Sequence, residues 1–390
     1  MRIVQATWGV FHHFDLAREL DKRGHLLQVY STFPWARLKR EGLPHSKVQT
    51  FPWFHLTQLL VGGYLPGWRS AYNGLAYAAT MSFDEWLEHR VPRTGVDALI
   101  ALSGAALKPG KHLQERGGIY ICDRGSTHQL YQERLVNDEL RSWGVDPPVS
   151  GARDTLYRRE VEIYETADAI TVPSSFSARS FIESGIPREK VHVIPYGVRL
   201  DRFHPVGEPP ADSFEVLFVG QVSLRKGVPY LLQAFAGLRH PRKRLRIVGT
   251  VQPDFRAILA NLPQGQVEFM GPQPQAEVAR YMSSSHVMVL PSIEEGLALV
   301  QGQAMACGCP VLASTNTGSE DLFTDGVEGF IVPIRDPDAL RERLQQLAED
   351  PALQRRMGEA ALLRVRHLGG WSQYGDIWVS LLEKLLKQRR

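Results

Sequence analysis

The sequence predicts an α/β protein of two doubly wound domains facing each other across a cleft. Three observations carry that reading. Short apolar, β-branched runs alternate with stretches of helical period from end to end. Buried parallel strands read as continuous apolar runs because helices cover both faces, and their alternation with helices marks βαβ units. The alternation occurs as two series, separated by Phe203–Ser213, where Pro205, Pro209 and Pro210 can continue neither a helix nor a central strand.

Taken in order, the first series predicts strands at Ile3–Ala6, Leu27–Tyr30, Lys47–Phe51, Asp97–Leu102, Ile119–Cys122, Ala169–Val172 and Val191–Ile194. Helical stretches such as Phe14–Arg23, Asp154–Ala167 and Ser177–Ser184 intervene. The second series predicts strands at Glu215–Val219, Leu245–Val248, Val267–Met270, Val287–Leu290, Val311–Ala313 and Gly329–Val332, with helices at Tyr230–Leu238, Glu277–Ser283 and Asp338–Glu349. Beyond Pro351 the chain reads as helical, and Leu381–Leu386 lies on a last amphipathic helix. These spans give domains at 1–205 and 206–370. Open α/β sheets bind ligands outside the carboxyl ends of their strands, so two such domains place a ligand in the cleft between them.

Composition narrows the function. Lys and Arg number 45 against 42 Asp and Glu in 390 residues, too small a surplus for a protein that wraps nucleic acid. The three cysteines, Cys122, Cys307 and Cys309, are too few for a disulfide scaffold and point to a reducing compartment. No basic-then-apolar leader opens the chain and no apolar run is long enough to span a bilayer, so a cytoplasmic location is expected. A basic and aromatic group, Trp35, Arg37, Lys39 and Arg40, is a candidate for peripheral contact with a membrane surface, a solvated loop being the alternative. Nothing in the sequence speaks to oligomeric state.

Several motifs fail inspection. Gly62–Gly67 has the wrong spacing for a dinucleotide fingerprint, and Gly104…Gly110-Lys111 has one residue too many for a P-loop, with His112 where Ser or Thr belongs. No Cys/His cluster has metal-ligand spacing, so no metal is assigned. Cys307-Gly-Cys309 reads as a buried turn and Asp336-Pro-Asp338 as a helix N-cap.

Three segments carry chemistry. In Leu217–Gly227 a strand leads through Gly220 to Arg225-Lys226 ahead of a helix, two adjacent cations suited to a diphosphate. In Pro291–Ala306 a strand ends in a loop, Gly296 is expected to open a helix, and the unpaired amides of Gly296, Leu297, Ala298 and Leu299 would face an anion. Glu295 precedes that helix and Gln303 lies on its second turn, both placed to meet hydroxyl groups. In Tyr120–His128 a first-domain strand ends in a polar turn that would aim Asp123, Arg124 and His128 into the cleft.

With these residues in view, the chain resembles the retaining family 4 glycosyltransferases of GT-B fold, in which two Rossmann-like domains face each other across a deep cleft. The family's strand, acid, Gly-rich turn and second acid eight positions on read here as Glu295, Gly296–Leu299 and Gln303. Its diphosphate turn reads Val219–Gly227, its linker Val191–Val198 with Asp201–Phe203, and its early "RGH" Arg23-Gly24-His25. Trp371–Tyr374 looks like the element before a last helix, 371–390, that packs back on the first domain. The resemblance spans essentially the whole chain and is strongest over Ala169–Pro333.

The resemblance implies transfer of a sugar from a nucleoside diphosphate sugar (UDP- or GDP-linked) to an acceptor hydroxyl, with retention and without a metal or other cofactor. It implies a bacterial glycan, polysaccharide or glycolipid pathway, with a glycan or lipid-linked acceptor and no nucleic acid partner. Glu295 would contact hydroxyls of the sugar, Gln303 the ribose, and Arg225 and Lys226 the leaving diphosphate. Gly249 and Gly271-Pro272 would border the base, Gly9 matches the first-loop glycine, and Asp123 or His128 occupies the region of the family's active-site His. Three departures stand out: Gln303 for the second Glu, Gln221 where many members carry Arg, and His12-His13 for a usual Gly pair. No carboxylate nucleophile can be assigned, which favours attack from the face of the leaving group. A nucleotide-sugar epimerase on the same architecture and a non-catalytic nucleotide-sugar-binding regulator remain open alternatives. Aromatics over Phe51–Trp86, namely Trp53, Phe54, Tyr64, Trp68, Tyr72, Tyr77 and Phe83 with His55 and Arg69, would be acceptor contacts or core.

Overall fold

Every apolar run expected to be a strand is one, and the strands form two parallel sheets. The computed structural model describes residues 1–53, 69–147 and 152–389. The first sheet contains β1 (Ile3–Thr7), β2 (Leu26–Ser31), β3 (Val48–Thr50), β4 (Ala98–Leu102), β5 (Ile119–Asp123), β6 (Ala169–Val172) and β7 (Val191–Val193), in the order β3-β2-β1-β4-β5-β6-β7. The longer helices around it are α1 (His13–Lys22), α2 (Arg69–Arg90), α3 (Leu107–Glu115), α4 (Gln129–Ser142), α5 (Ala152–Thr166) and α6 (Ser175–Glu183). All of β1 and β5 is buried, as continuous apolar runs covered on both faces must be.

The second sheet contains β8 (Phe214–Val219), β9 (Lys243–Val248), β10 (Val267–Gly271), β11 (Val287–Leu290), β12 (Val311–Ser314) and β13 (Gly329–Val332), in the order β10-β9-β8-β11-β12-β13. Its longer helices are α7 (Val228–Gly237), α8 (Gln275–Ser283), α9 (Leu299–Ala306), α10 (Pro337–Glu349) and α11 (Pro351–Leu368), and α12 (Trp371–Arg389) follows. Chain direction across each sheet reverses once, between β1 and β4 and between β8 and β11. Loops leaving the strands at such a reversal splay apart and leave a crevice at the carboxyl ends.

Local signals behave as their chemistry requires. Ser174 caps α6, and Asp336 caps α10 by accepting from Ala339 N at 2.8 Å, as Asp336-Pro-Asp338 suggested. Cys307 and Cys309 are buried free thiols beside a left-handed Gly308. Trp371–Tyr374 is the first turn of α12 rather than a segment before it. That helix crosses back onto α1: Arg23 donates to Asp376 Oδ1 at 2.7 Å and to Ser372 O at 2.8 Å, and Trp378 is fully buried. Arg23 of the Arg-Gly-His run is thus one anchor of α12.

Two groups singled out in the first domain are placed in part. Phe51 and Phe83 each stack on Trp86, at 5.2 and 6.0 Å between ring centroids, so these aromatics belong to the core. Trp53 and Tyr77 are exposed. Phe54, His55, Tyr64 and Trp68, and the Gly62–Gly67 turn, lie outside the described residues, as do the side chains of Arg69 and Tyr72. Of the basic and aromatic group, Trp35 packs on His45 and Arg37 on Phe33, while Arg40 lines a cavity between the domains. Among the described residues no helix is long and apolar enough to cross a membrane.

Candidate active site

Three glycine turns stand side by side at the carboxyl ends of β8, β9 and β10. Gly249 N donates to Gly271 O at 3.0 Å and Gly220 N to Val248 O at 2.9 Å. Gly249 has φ +146°, and a Cβ on it would overlap Gly220 O, so only glycine lets the two turns nest. Pro272 follows as an exposed residue at the rim. The turn after β8 is clasped to the loop after β11: Ile293 N donates to Arg225 O at 2.9 Å, and Gly227 (φ +66°) leaves no room for a Cβ against Pro291 O. The two segments expected to hold a diphosphate therefore touch, at the point where the strand order reverses.

The cations there already have partners. Arg225 Nη1 lies 3.1 Å from Glu294 Oε2, and Lys226 pairs with Glu295. Burial, with help from the neighbouring guanidinium of Arg225, pushes the Lys226 ammonium down to about 7. The helix expected from Gly296 begins three residues later, at Leu299. Gly296, Leu297 and Ala298 form a loop, with Ala298 as the extended N-cap residue. Leu299 and Gln303 line an interdomain cavity of about 500 Å³ together with Val10, Arg18, Arg199 and Arg202. Gln303 is accordingly a cleft residue, whereas Gly249, Gly271 and Pro272 are not among those lining this cavity.

On the first domain the expected turn behaves differently. Asp123 does not open into the cleft; it is buried at the end of β5 and accepts from Thr171 Oγ1 at 2.8 Å. Its Oδ2 lies 2.6 Å from His12 Nε2 and 3.5 Å from His13 Nε2. Burial raises its pKa, but the two imidazoles and Thr171 outweigh that and hold it below the usual carboxylate range. Arg124 turns inward to Glu160 at 2.7 Å. His128 is a correction: it caps α4, its ring accepting from Leu130 N at 3.3 Å, and it is buried against Tyr164 and Phe181. Burial, then the charge of Arg124, push it down to about 4. The histidine near the cleft is instead His12, whose ring lies 4.4 Å from that of Tyr196. Gly9 (φ +73°) turns the loop before it, and Gly9 N donates to Thr32 Oγ1 at 3.0 Å.

The domains meet between these two loops. A Cβ on Gly296 would overlap Gly125 O, and a Cβ on Gly125 would lie 3.6 Å from His12 Cε1. His12 and the Gly296 loop thus face each other across one glycine. Beside them Glu294, fully buried, accepts from Ser126 Oγ at 2.6 Å and Thr127 Oγ1 at 2.7 Å while facing Arg225. Burial raises its pKa, but Arg225, Ser126, Thr127 and Arg124 together lower it below the ordinary value. Glu139 forms a second buried bridge, to Tyr230 Oη at 2.8 Å and Arg335 Nε at 2.6 Å. In the sequence His12 stands out only as a departure from the family pattern, and Glu294 does not stand out. The signal for both was a doubled polar residue in the connection after a strand, His12-His13 and Glu294-Glu295.

Comparison with known proteins gives the family and the fold. A family model for "Glycosyltransferase Family 4" matches residues 10–202, and one for "Glycosyl transferases group 1" matches residues 201–364. The chain belongs to glycosyltransferase family 4. The family members it resembles include D-inositol 3-phosphate glycosyltransferases of Streptomyces avermitilis, 32% identical over 57% of this chain and 54% of that one, and of Kribbella flavida, 29% identical over 54% and 55%. The chain thus spans about half the length of the curated relatives it matches. Among solved structures, sucrose-phosphate synthase from Thermosynechococcus elongatus superposes with a TM-score of 0.73 at 20% identity, covering all of both chains. Anabaena HepE, crystallised with UDP-glucose, superposes at 0.69 with 18% identity, covering 98% of this chain and all of that one. At such identities these neighbours show the GT-B fold alone.

Proposed function

We propose that the protein transfers a sugar from a nucleoside diphosphate sugar to an acceptor hydroxyl, with retention at the anomeric carbon and without a metal in the catalytic step. The observation that carries this reading is the meeting of the Arg225-Lys226 turn, the Glu295–Leu299 loop and His12 around the Gly125–Gly296 contact. The diphosphate would take Lys226 from Glu295, and the freed Glu295 carboxylate would accept from sugar hydroxyls. Gln303 would meet the ribose inside the cavity it lines. A neutral amide makes a weaker hydrogen bond than a carboxylate, by about 1 kcal/mol.

The anomeric C–O bond to the diphosphate breaks, and its electron pair stays on the departing phosphate oxygen. Arg225 and Lys226 neutralise that charge as it develops, which is the largest kind of catalytic contribution in a preorganised site. The acceptor oxygen bonds to the anomeric carbon from the same face, and its proton passes to the departing oxygen. His12, held in orientation by Asp123, would hydrogen-bond the sugar or the incoming hydroxyl. A UDP- or GDP-linked donor and a glycan or lipid-linked acceptor of a bacterial pathway fit this chemistry, as does a nucleotide sugar in one fold neighbour.

Incubation with a panel of nucleoside diphosphate sugars tests the reading. Slow release of nucleoside diphosphate from one donor, with the free sugar retaining its anomeric configuration, is the expected result. Stabilisation by a donor with no release would make the protein a binding regulator instead.

A further inference from the structure

We propose that His12, His13 and Asp123 form a binding site for a divalent transition metal of the Zn2+ type, and that a metal there blocks the cleft side of the first domain. The three residues come from two segments 111 positions apart, the start of α1 and the end of β5. Each offers one ligand atom, all three are buried, and these atoms lie within 4.8 Å of one another. Two imidazoles and a carboxylate are a donor set that suits Zn2+, Co2+ or Ni2+ and leaves a further position open.

The second observation is independent of that grouping. His13 is fully buried, and neither of its ring nitrogens has a hydrogen-bond partner. Such an orphaned pair of polar atoms in a core is costly and calls for an ion or water. The neighbourhood shares the deficit: Gln5 Oε1 and Thr7 Oγ1 are buried without partners too. Gln5 and Thr7 lie two apart on β1 and so share a face, and the Gln5 amide, 3.4 Å from His13 O, shows that this is the face under α1.

One of the two ligand distances to Asp123 already suits a metal. Two ligands at about 2.1 Å in tetrahedral geometry stand about 3.4 Å apart. His13 Nε2 and Asp123 Oδ2 are already 3.5 Å apart, whereas His12 Nε2 at 2.6 Å from the same oxygen would have to draw back. Binding at His12 Nε2 would replace the hydrogen bond to Asp123, the neutral ring carrying its proton on Nδ1 instead. It would also take His12 away from a sugar, so the bound metal would inhibit rather than assist the transfer proposed above.

The test is a titration of the full chain, stripped with a chelator, with Co2+ and with Zn2+. Expected are one equivalent of Co2+ giving a visible ligand-field band and one equivalent of Zn2+ by calorimetry. His13→Gln, His12→Gln and Asp123→Asn should each weaken binding more than about tenfold, with far-UV circular dichroism confirming the fold. If His13→Gln does not fold, the other two variants decide. Absence of saturable binding, or binding that survives the substitutions, overturns the proposal. These readouts need no sugar donor, so they stand or fall separately from the reading of the reaction.

Discussion

Glu294 accepts from Thr127 Oγ1 of the first domain at 2.7 Å and faces Arg225 of the second at 3.1 Å, so a single buried carboxylate ties both domains at the mouth of the site. The same guanidinium is one of the two cations assigned to the diphosphate. In the function proposed above, the contact between the domains and the binding of the donor would share Arg225.

Replacing Glu294 with Ala should strand Arg225 and leave Ser126 and Thr127 without an acceptor. Removing one partner of a buried pair costs about 3–5 kcal/mol. Chemical denaturation should show that loss, and a change under about 1 kcal/mol would mean the bridge is not formed. The acid side follows from the lowered pKa of this carboxylate. Its contribution is complete above the ordinary carboxylate value and is lost as pH falls through the lower folded one.

Lys226 should make nucleoside diphosphate binding pH-dependent. Its ammonium titrates at about 7 in the ligand-free protein, because burial and then Arg225 disfavour the charge. Binding an anion there requires the protonated form, so affinity should fall by up to about tenfold per pH unit above that value. Lys226→Arg should flatten the profile, since a guanidinium does not titrate in this range. The unfolded chain binds more protons between about 7 and the ordinary lysine value, so this group makes the fold more stable as pH rises across that window. Calorimetric titration with UDP and GDP from pH 6 to about 9 checks the binding claim.

Arg225→Ala and Lys226→Ala should each lower turnover by about 10²–10³, the worth of a preorganised charge at a developing anion. Circular dichroism should remain that of the parent. Near-normal turnover in the double variant would remove these cations from the chemistry.

The two histidines should separate cleanly. His12→Ala should lower kcat/KM by about ten- to a hundredfold through loss of one hydrogen bond to a polarised group. His128→Ala should cost about 0.5–2 kcal/mol of stability as a lost helix cap, with His128→Asn restoring it and kcat unchanged throughout. A kcat defect in His128→Asn would return that residue to the site.

Gly296→Ala should hold the domains apart, because its Cβ would overlap Gly125 O and lie 2.7 Å from Ser126 Cα. Overpacking of this kind costs about 1–3 kcal/mol. Small-angle X-ray scattering should show a larger radius of gyration, and an unchanged value would mean the seam yields elsewhere.

Much of this was legible before any coordinates. Apolar runs marked the strands, most plainly the central ones, which are buried on both faces, and Pro205, Pro209 and Pro210 marked the break between the two series because proline cannot continue a helix interior or a central strand. That the Arg225-Lys226 turn meets the loop before Gly296, and that Gln303 lines the cleft, was legible because these segments follow strands whose carboxyl ends face the crevice. Helix starts were less legible. The helix after β11 was expected at Gly296 and begins at Leu299, since glycine permits a turn without showing where the turn stops.

Sequence alone decided the architecture, because hydrophobic periodicity and backbone-restricting residues act over a few neighbours. Which polar groups meet was decided only by the tertiary structure. His12 and Asp123 are 111 residues apart and Thr127 and Glu294 are 167 apart, and the order of strands in the sheets and the docking of the two domains bring them together. His128 shows the converse: a histidine beside a strand end looked chemical in the sequence, and in the fold its buried ring caps a helix.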